Sequence, residues 1–185
     1  ALDPGPRERE HRPILEKFHF PETGSYASGM QPHLHPQDIV VALKLALSPG
    51  LTIQKLADSL ALSLSAVHRS LARATAAGLL RGSRQPVRHA IREFVLHGLR
   101  YAFPVVRGSM TRGVPTAHAA LPLSELIQAD LDPIPVWPDA QGEARGAALT
   151  PLYPSVPTAA RADPQLYQCL ALIDARRRGR ARERN

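Results

Sequence analysis

Cysteine and lysine are scarce in this chain, and it has no long apolar run. The single cysteine among 185 residues, Cys169, excludes an intrachain disulfide framework and any multi-cysteine zinc site. A reducing, cytoplasmic setting is therefore expected. No stretch approaches the roughly 18 apolar residues that span a bilayer, and the first residues lack the apolar centre of a secretion signal. The expectation is a soluble protein with no membrane partner. Lysine occurs only at Lys17, Lys44 and Lys55, although Lys+Arg number 23 against 16 Asp+Glu, for a net charge of +7. The basic side is thus almost all arginine, whose planar fork binds phosphate and guanine edges. That bias tilts toward nucleic acid, although a GC-rich genome produces the same composition.

Proline and glycine divide the chain. Residues 1–35 are polar and proline-broken, with only Ile14, Leu15, Phe18 and Phe20 to pack, and read as an arm; Met30 is a second candidate start, which would make residues 1–29 an extension. Residues 36–103 carry dense helical patterns with short connections. Residues 104–162 are proline-rich: nine of the eighteen prolines fall between 104 and 160, so loops and short strands are expected rather than long helices. Residues 163–185 open with Asp163 as a cap and Pro164 in a first helical turn. They end in "RRRGRARERN", which reads as a solvated tail.

Within 36–103, spacing at 100 degrees per residue gives each helix an inner face. Ile39, Val40, Leu43 and Leu47 form one stripe, stopped by Ser48-Pro49-Gly50. Thr52 caps a second helix with Ile53, Leu56, Ala57 and Leu60 inward. Ser63 caps a third, which runs through Val67, Leu71 and Ala74 to Gly78, a residue suited to the left-handed conformation that ends it. A strand start at Leu79-Leu80, a tight turn in "RGSRQ" and a fourth helix from Val87 to Phe103 complete the series.

The stretch "LADSLALSLSAVHRSLARATAAGLL" resembles the DNA-binding core of MarR- and IclR-type bacterial transcription regulators. The match rests on Leu56, Ala57, Leu60, Leu62, Ser63, Ser65, Val67, Arg69, Leu71, Ala77, Gly78 and Leu79. Ala61 stands where the pattern usually has a turn glycine, and Ala74 where it has leucine. Alanine at 61 must accept positive φ at about 1 kcal/mol or use another turn. The resemblance covers roughly residues 36 to 86 and implies a winged helix-turn-helix. The expected fold is therefore mainly α, with that domain at 36–103 and a smaller proline-rich α+β C-terminal region.

The resemblance also implies a partner, double-stranded DNA. With Val67, Leu71 and Ala74 inward, the third helix shows a small, basic outer face. Arg69 is placed for guanine edges, Ser63, Ser65 and His68 for a base edge or phosphate, and Arg73 for the backbone. Arg81, Arg84 and Arg88 form the wing tip and its return, suited to flanking phosphate. The alternative is that these are ordinary solvated positions on a core helix.

The fourth helix has Val87, Ile91, Phe94, Val95, Gly98 and Ala102 on one face, with Leu96 and Phe103 opposite. Two apolar sides need two neighbours: its own domain and either the C-terminal region or a second copy in a homodimer. No catalytic residue is assigned. Ser109, His118 and Asp130 make a triad only on paper, and "GSMTRG" reads as a surface turn. No cofactor or metal is expected, since His33 and His35 lack further ligands. Trp137 reads as a core anchor in a hairpin turned by "DAQG", with "ARGAAL" returning, and Cys169 as a buried, inert thiol. The function that these readings converge on is a transcription regulator, a dimeric repressor. An antitoxin-like module whose C-terminal region holds a protein partner is the alternative.

Overall fold

The computed structural model describes residues 33–82, 84–126 and 133–178, within a unit running from Pro32 to Asn185. The arm up to residue 32, Asp130 and the tail beyond residue 178 lie outside the described residues. The fold is mainly helical with a small sheet.

Helix α1 (Pro36–Leu47) begins where Pro36 presets the first helical φ and Asp38 accepts a hydrogen bond from the His35 N–H at 2.8 Å. Its apolar residues were expected along one stripe, yet Val41, Ala42 and Leu45 are as buried as Ile39, Val40 and Leu43. Helix α3 covers one part of α1 and α8 another, and an enclosed helix buries its whole circumference. Helix α2 (Ile53–Leu60) is capped by Thr52, whose Oγ1 accepts from the Lys55 N–H at 3.2 Å. It ends at Ala61 with φ 50° and ψ 48°, so alanine does take the left-handed conformation usually left to glycine. Helix α3 (Leu64–Ala76) follows, with Ser63 Oγ accepting from the Ala66 N–H, and Gly78 turns the chain out at φ +74°. Strands β1 (Leu80–Arg81) and β2 (Gln85–Pro86) pair antiparallel over only two residues each.

The fourth helical run is not the unbroken helix expected from Val87 to Phe103. It consists of α4 (Arg88–Glu93), a π-helical turn at Phe94–Gly98, and α5 (Leu99–Ala102). The wider turn rotates every side chain that follows it. Leu99 is consequently buried, while Ala102, placed on the inner face by uniform periodicity, is exposed.

Two further expectations are corrected beyond residue 104. "GSMTRG" is not a turn but lies within β3 (Arg107–Pro115). Strands β4 (Pro135–Pro138) and β5 (Ala144–Leu149) do not form a hairpin: each runs antiparallel to β3, and they meet each other in parallel, which closes the three strands into a small barrel. Such tight closure depends on Gly113 and Gly146. At these positions the carbonyls of Trp137 and Ile134 leave no room for a side-chain carbon.

After the short α6 (Leu123–Leu126), helices α7 (Val156–Ala162) and α8 (Pro164–Arg177) bring the C-terminal part onto the helical part. One apolar core runs from Ile39, Leu56 and Leu71 through Trp137 to Leu166, Leu170 and Ile173. Two polar contacts pin it. Asp174 of α8, almost wholly buried, accepts hydrogen bonds from Trp137 Nε1 and Thr116 Oγ1 and pairs with Arg177 Nη1 at 2.6 Å. Burial pushes its carboxyl up, against the opposing pull of Arg177 and of the two hydrogen bonds. Arg177 also donates to the Phe103 carbonyl at 2.9 Å. The first part of the arginine-rich ending is therefore structural rather than solvated.

The second contact is Asp163, which caps α8 through the Gln165 and Leu166 N–H groups and pairs with Lys44 of α1 at 2.6 Å. Burial raises this carboxyl, but Lys44 and the two backbone donors outweigh it and hold it below its ordinary value. A depressed folded-state value gives stability that is present above the unfolded carboxylate range, about pH 4, and lost as pH falls through the folded value. Asp163→Asn is expected to be less stable than wild type at neutral pH. The gap in urea midpoint should shrink steadily below about pH 4, which unfolding curves at stepped pH will measure.

Candidate nucleic-acid interface

Helix α3 contains no acidic residue, and its periodicity sorts its side chains cleanly. Val67, Ser70, Leu71 and Ala74 are buried, whereas Ser65, His68, Arg69, Ala72, Thr75 and Ala76 are exposed. Ser63 and Ser65 sit at its exposed N-terminal end with their hydroxyls 3.2 Å apart. His68 and Arg69 have no hydrogen-bond or ion-pair partner among the described residues, and the same holds for Arg81 on β1. Near the cap the surface thus carries two hydroxyls and the exposed Leu64, and in the middle turn an unspent guanidinium and an imidazole.

The three other arginines in the candidate set are engaged. Arg73 turns inward rather than toward a ligand: its Nε and Nη2 meet Asp38 Oδ2 and Oδ1 at 2.8 and 2.6 Å, a bidentate pair with a carboxylate that has no exposed side-chain surface. The bond to Asp38 holds the guanidinium above its usual value. Gln37 reinforces the same contact by donating to Ser70 Oγ at 2.9 Å. Together these bonds fix the rotation of α3 about its own axis against α1. Arg84 donates to the Leu51 carbonyl at 2.6 Å and Arg88 to the Ala46 carbonyl at 2.7 Å. These two tie the hairpin to the α1–α2 connection and the start of α4 to the last turn of α1. Each uses one of five guanidinium N–H groups in that bond.

Periodicity alone could not separate Arg73 from Arg69, because the partner that draws Arg73 inward lies 35 residues upstream. One exposed cation was missed. Lys55, on the outer side of α2, is exposed with no ammonium partner among the described residues. Its signal was available, since Leu56, Ala57 and Leu60 already assign the opposite face to the core. Of the three residues that make a triad on paper, Asp130 lies outside the described residues. Ser109 is exposed on β3, and His118 Nδ1 lies 2.9 Å from Arg178 Nη1.

No protein-family model, no curated protein and no solved structure matches the chain.

Removing Arg73 should therefore destabilise the fold, and removing Arg69 should leave it nearly unchanged. Arg73→Ala leaves Asp38 buried without its cation and is expected to cost about 3 kcal/mol, the scale seen when one member of a buried pair is deleted. Arg69→Ala removes only an exposed, unengaged group and should stay within about 0.5 kcal/mol of wild type. Urea unfolding of the two variants measures both.

Proposed function

We propose that residues 36–103 act as a winged helix-turn-helix and that the chain binds double-stranded DNA in a sequence-specific way to regulate transcription. The observation that carries this reading is the outer face of α3, free of acidic residues and presenting Arg69 and His68 unpaired next to a serine-bearing N-terminus. A helix entering the major groove needs small side chains where it approaches the base edges and one long forked donor to read guanine O6 and N7. Arg69 serves as that donor, and Ser63, Ser65 and His68 act at its flanks. Arg81 and Lys55 supply phosphate contacts. Arg73 serves by orienting α3, and Arg84 and Arg88 by holding the hairpin in place, with their remaining N–H groups available to phosphate. Repression by a two-fold pair of chains belongs to the same reading, since half-sites on DNA mirror protein symmetry.

A second reading rests on a different observation. Tyr101, Val106, Met110 and Leu126 are apolar or aromatic yet exposed, with Tyr101 at 72% and Leu126 at 76%. Apolar surface of this kind suits a protein partner for the C-terminal half, as in an antitoxin that also binds its own operator.

Fluorescence anisotropy on a selected site and on scrambled duplex tests the first reading. Arg69→Ala should lose about 1–3 kcal/mol of discrimination between the two DNAs, whereas Arg81→Ala should weaken both equally and flatten the salt dependence by about one unit. Indistinguishable behaviour of the two variants on both DNAs would show that α3 is not the reading element.

A further inference from the structure

Between α1, the run from α4 through the π-turn, and α8 lies an open groove with a cavity of about 360 Å³. Its floor and walls are apolar, made chiefly by Leu43, Leu47, Ile91, Val95, Leu172 and Ile173. Three arginines, Arg88, Arg92 and Arg176, stand among them, and none of the lining residues is acidic. Arg88 and Arg176 each spend one N–H on a backbone carbonyl, that of Ala46 and that of Leu96, while Arg92 is exposed with no partner among the described residues. The volume falls within the range of small-molecule sites.

We propose that this groove binds a small amphipathic carboxylate, its hydrocarbon body on the apolar floor and its carboxylate held by Arg92 with Arg88 and Arg176. The chemistry of the lining selects the class. An apolar floor alone would accept any hydrocarbon, but three arginines with no acidic residue in the lining favour an anion, which guanidiniums hold by forked, charge-assisted hydrogen bonds. The same arginines disfavour a second copy of the chain as occupant. A two-fold contact centred on the groove sets the patch against itself, so the arginines of one copy would face those of the other with no acidic residue in the lining to separate them. The site also accounts for Leu172, an apolar residue 42% exposed on the outer face of α8, where its exposed neighbours Gln165, Gln168 and Arg176 are polar. The groove stands on its own lining, whether or not α3 reads DNA.

Cys169, the chain's one cysteine, lies in the groove wall and reports occupancy directly. Burial pushes its thiol up, so its reaction with a maleimide is slow and sensitive to further covering. Calorimetry and maleimide labelling of the full chain with octanoate, octanol and octylammonium make the test. Octanoate is expected to bind one per chain and to slow labelling of Cys169, with octylammonium at least about tenfold weaker. Arg92→Gln, a change at an exposed side chain, should weaken octanoate by about tenfold and leave octanol unaltered. The proposal is overturned if octanoate neither saturates nor protects Cys169, or if octanoate, octanol and octylammonium bind alike. It is equally overturned if sedimentation shows a pair of chains that Leu172→Glu splits, because the groove is then covered by a second copy.

Discussion

Asp38 carries a carboxylate with no exposed side-chain surface in the first turn of α1, and everything outward-facing on α3 depends on how that charge is met. A lone buried carboxylate is costly enough that the fold must bring it a cation. Arg73 comes in with two N–H groups, Gln37 and Ser70 close the contact beside it, and α3 is locked in rotation against α1. Once Arg73 is committed, Arg69 is the guanidinium left on the outside. The division between an orienting arginine and a presenting arginine follows from one ion pair rather than from the helix pattern.

A similar constraint holds the C-terminal half in place. Asp174 gathers Trp137 from β4, Thr116 from the end of β3 and Arg177 from its own helix, so that barrel and helix share one buried charge. Arg161 pairs with Asp139 and ties α7 to the connection after β4. Lys44 and Asp163 add the link from α1 to α8. Because α1 lies under both halves, the groove lined by α1, α4 and α8 is bounded by elements that polar contacts hold in register. This suits a preformed site for a rigidly placed ligand.

What the sequence made legible is what short-range rules govern. The caps at Thr52, Ser63 and Asp163 and the stop at Gly78 follow from one residue and its near neighbours, whereas at Ala61 the sequence left two turns open and the chain takes positive φ. Contacts across long separations were not legible. Arg73 and Arg69 lie only about 40° apart on a helical wheel, and Asp38 is what draws Arg73 inward. The π-turn at Phe94–Gly98 breaks the 3.6-residue period that assigned Ala102 inward. "ARGAAL" was recognised as a strand, but its parallel meeting with β4 depends on both strands finding β3. Arg177 reads as one more member of a charged tail because Asp174, one helical turn before it, is buried by Trp137 and Thr116, which lie 37 and 58 residues upstream. Of the candidate residues, the serine cap, His68 and Arg69 are exposed on the side of α3 that periodicity turned outward, and Arg81, assigned to the wing, lies exposed on β1.

The central claim is that the face of α3 selects DNA sequence, and the most direct measurement is selection of the full chain against random-sequence duplex, with the retained sites sequenced. The account predicts enrichment of a short motif containing a guanine whose N7 methylation blocks binding, since a forked arginine donor needs that atom. Retention without enrichment of any motif, or binding indifferent to N7 methylation, would contradict it.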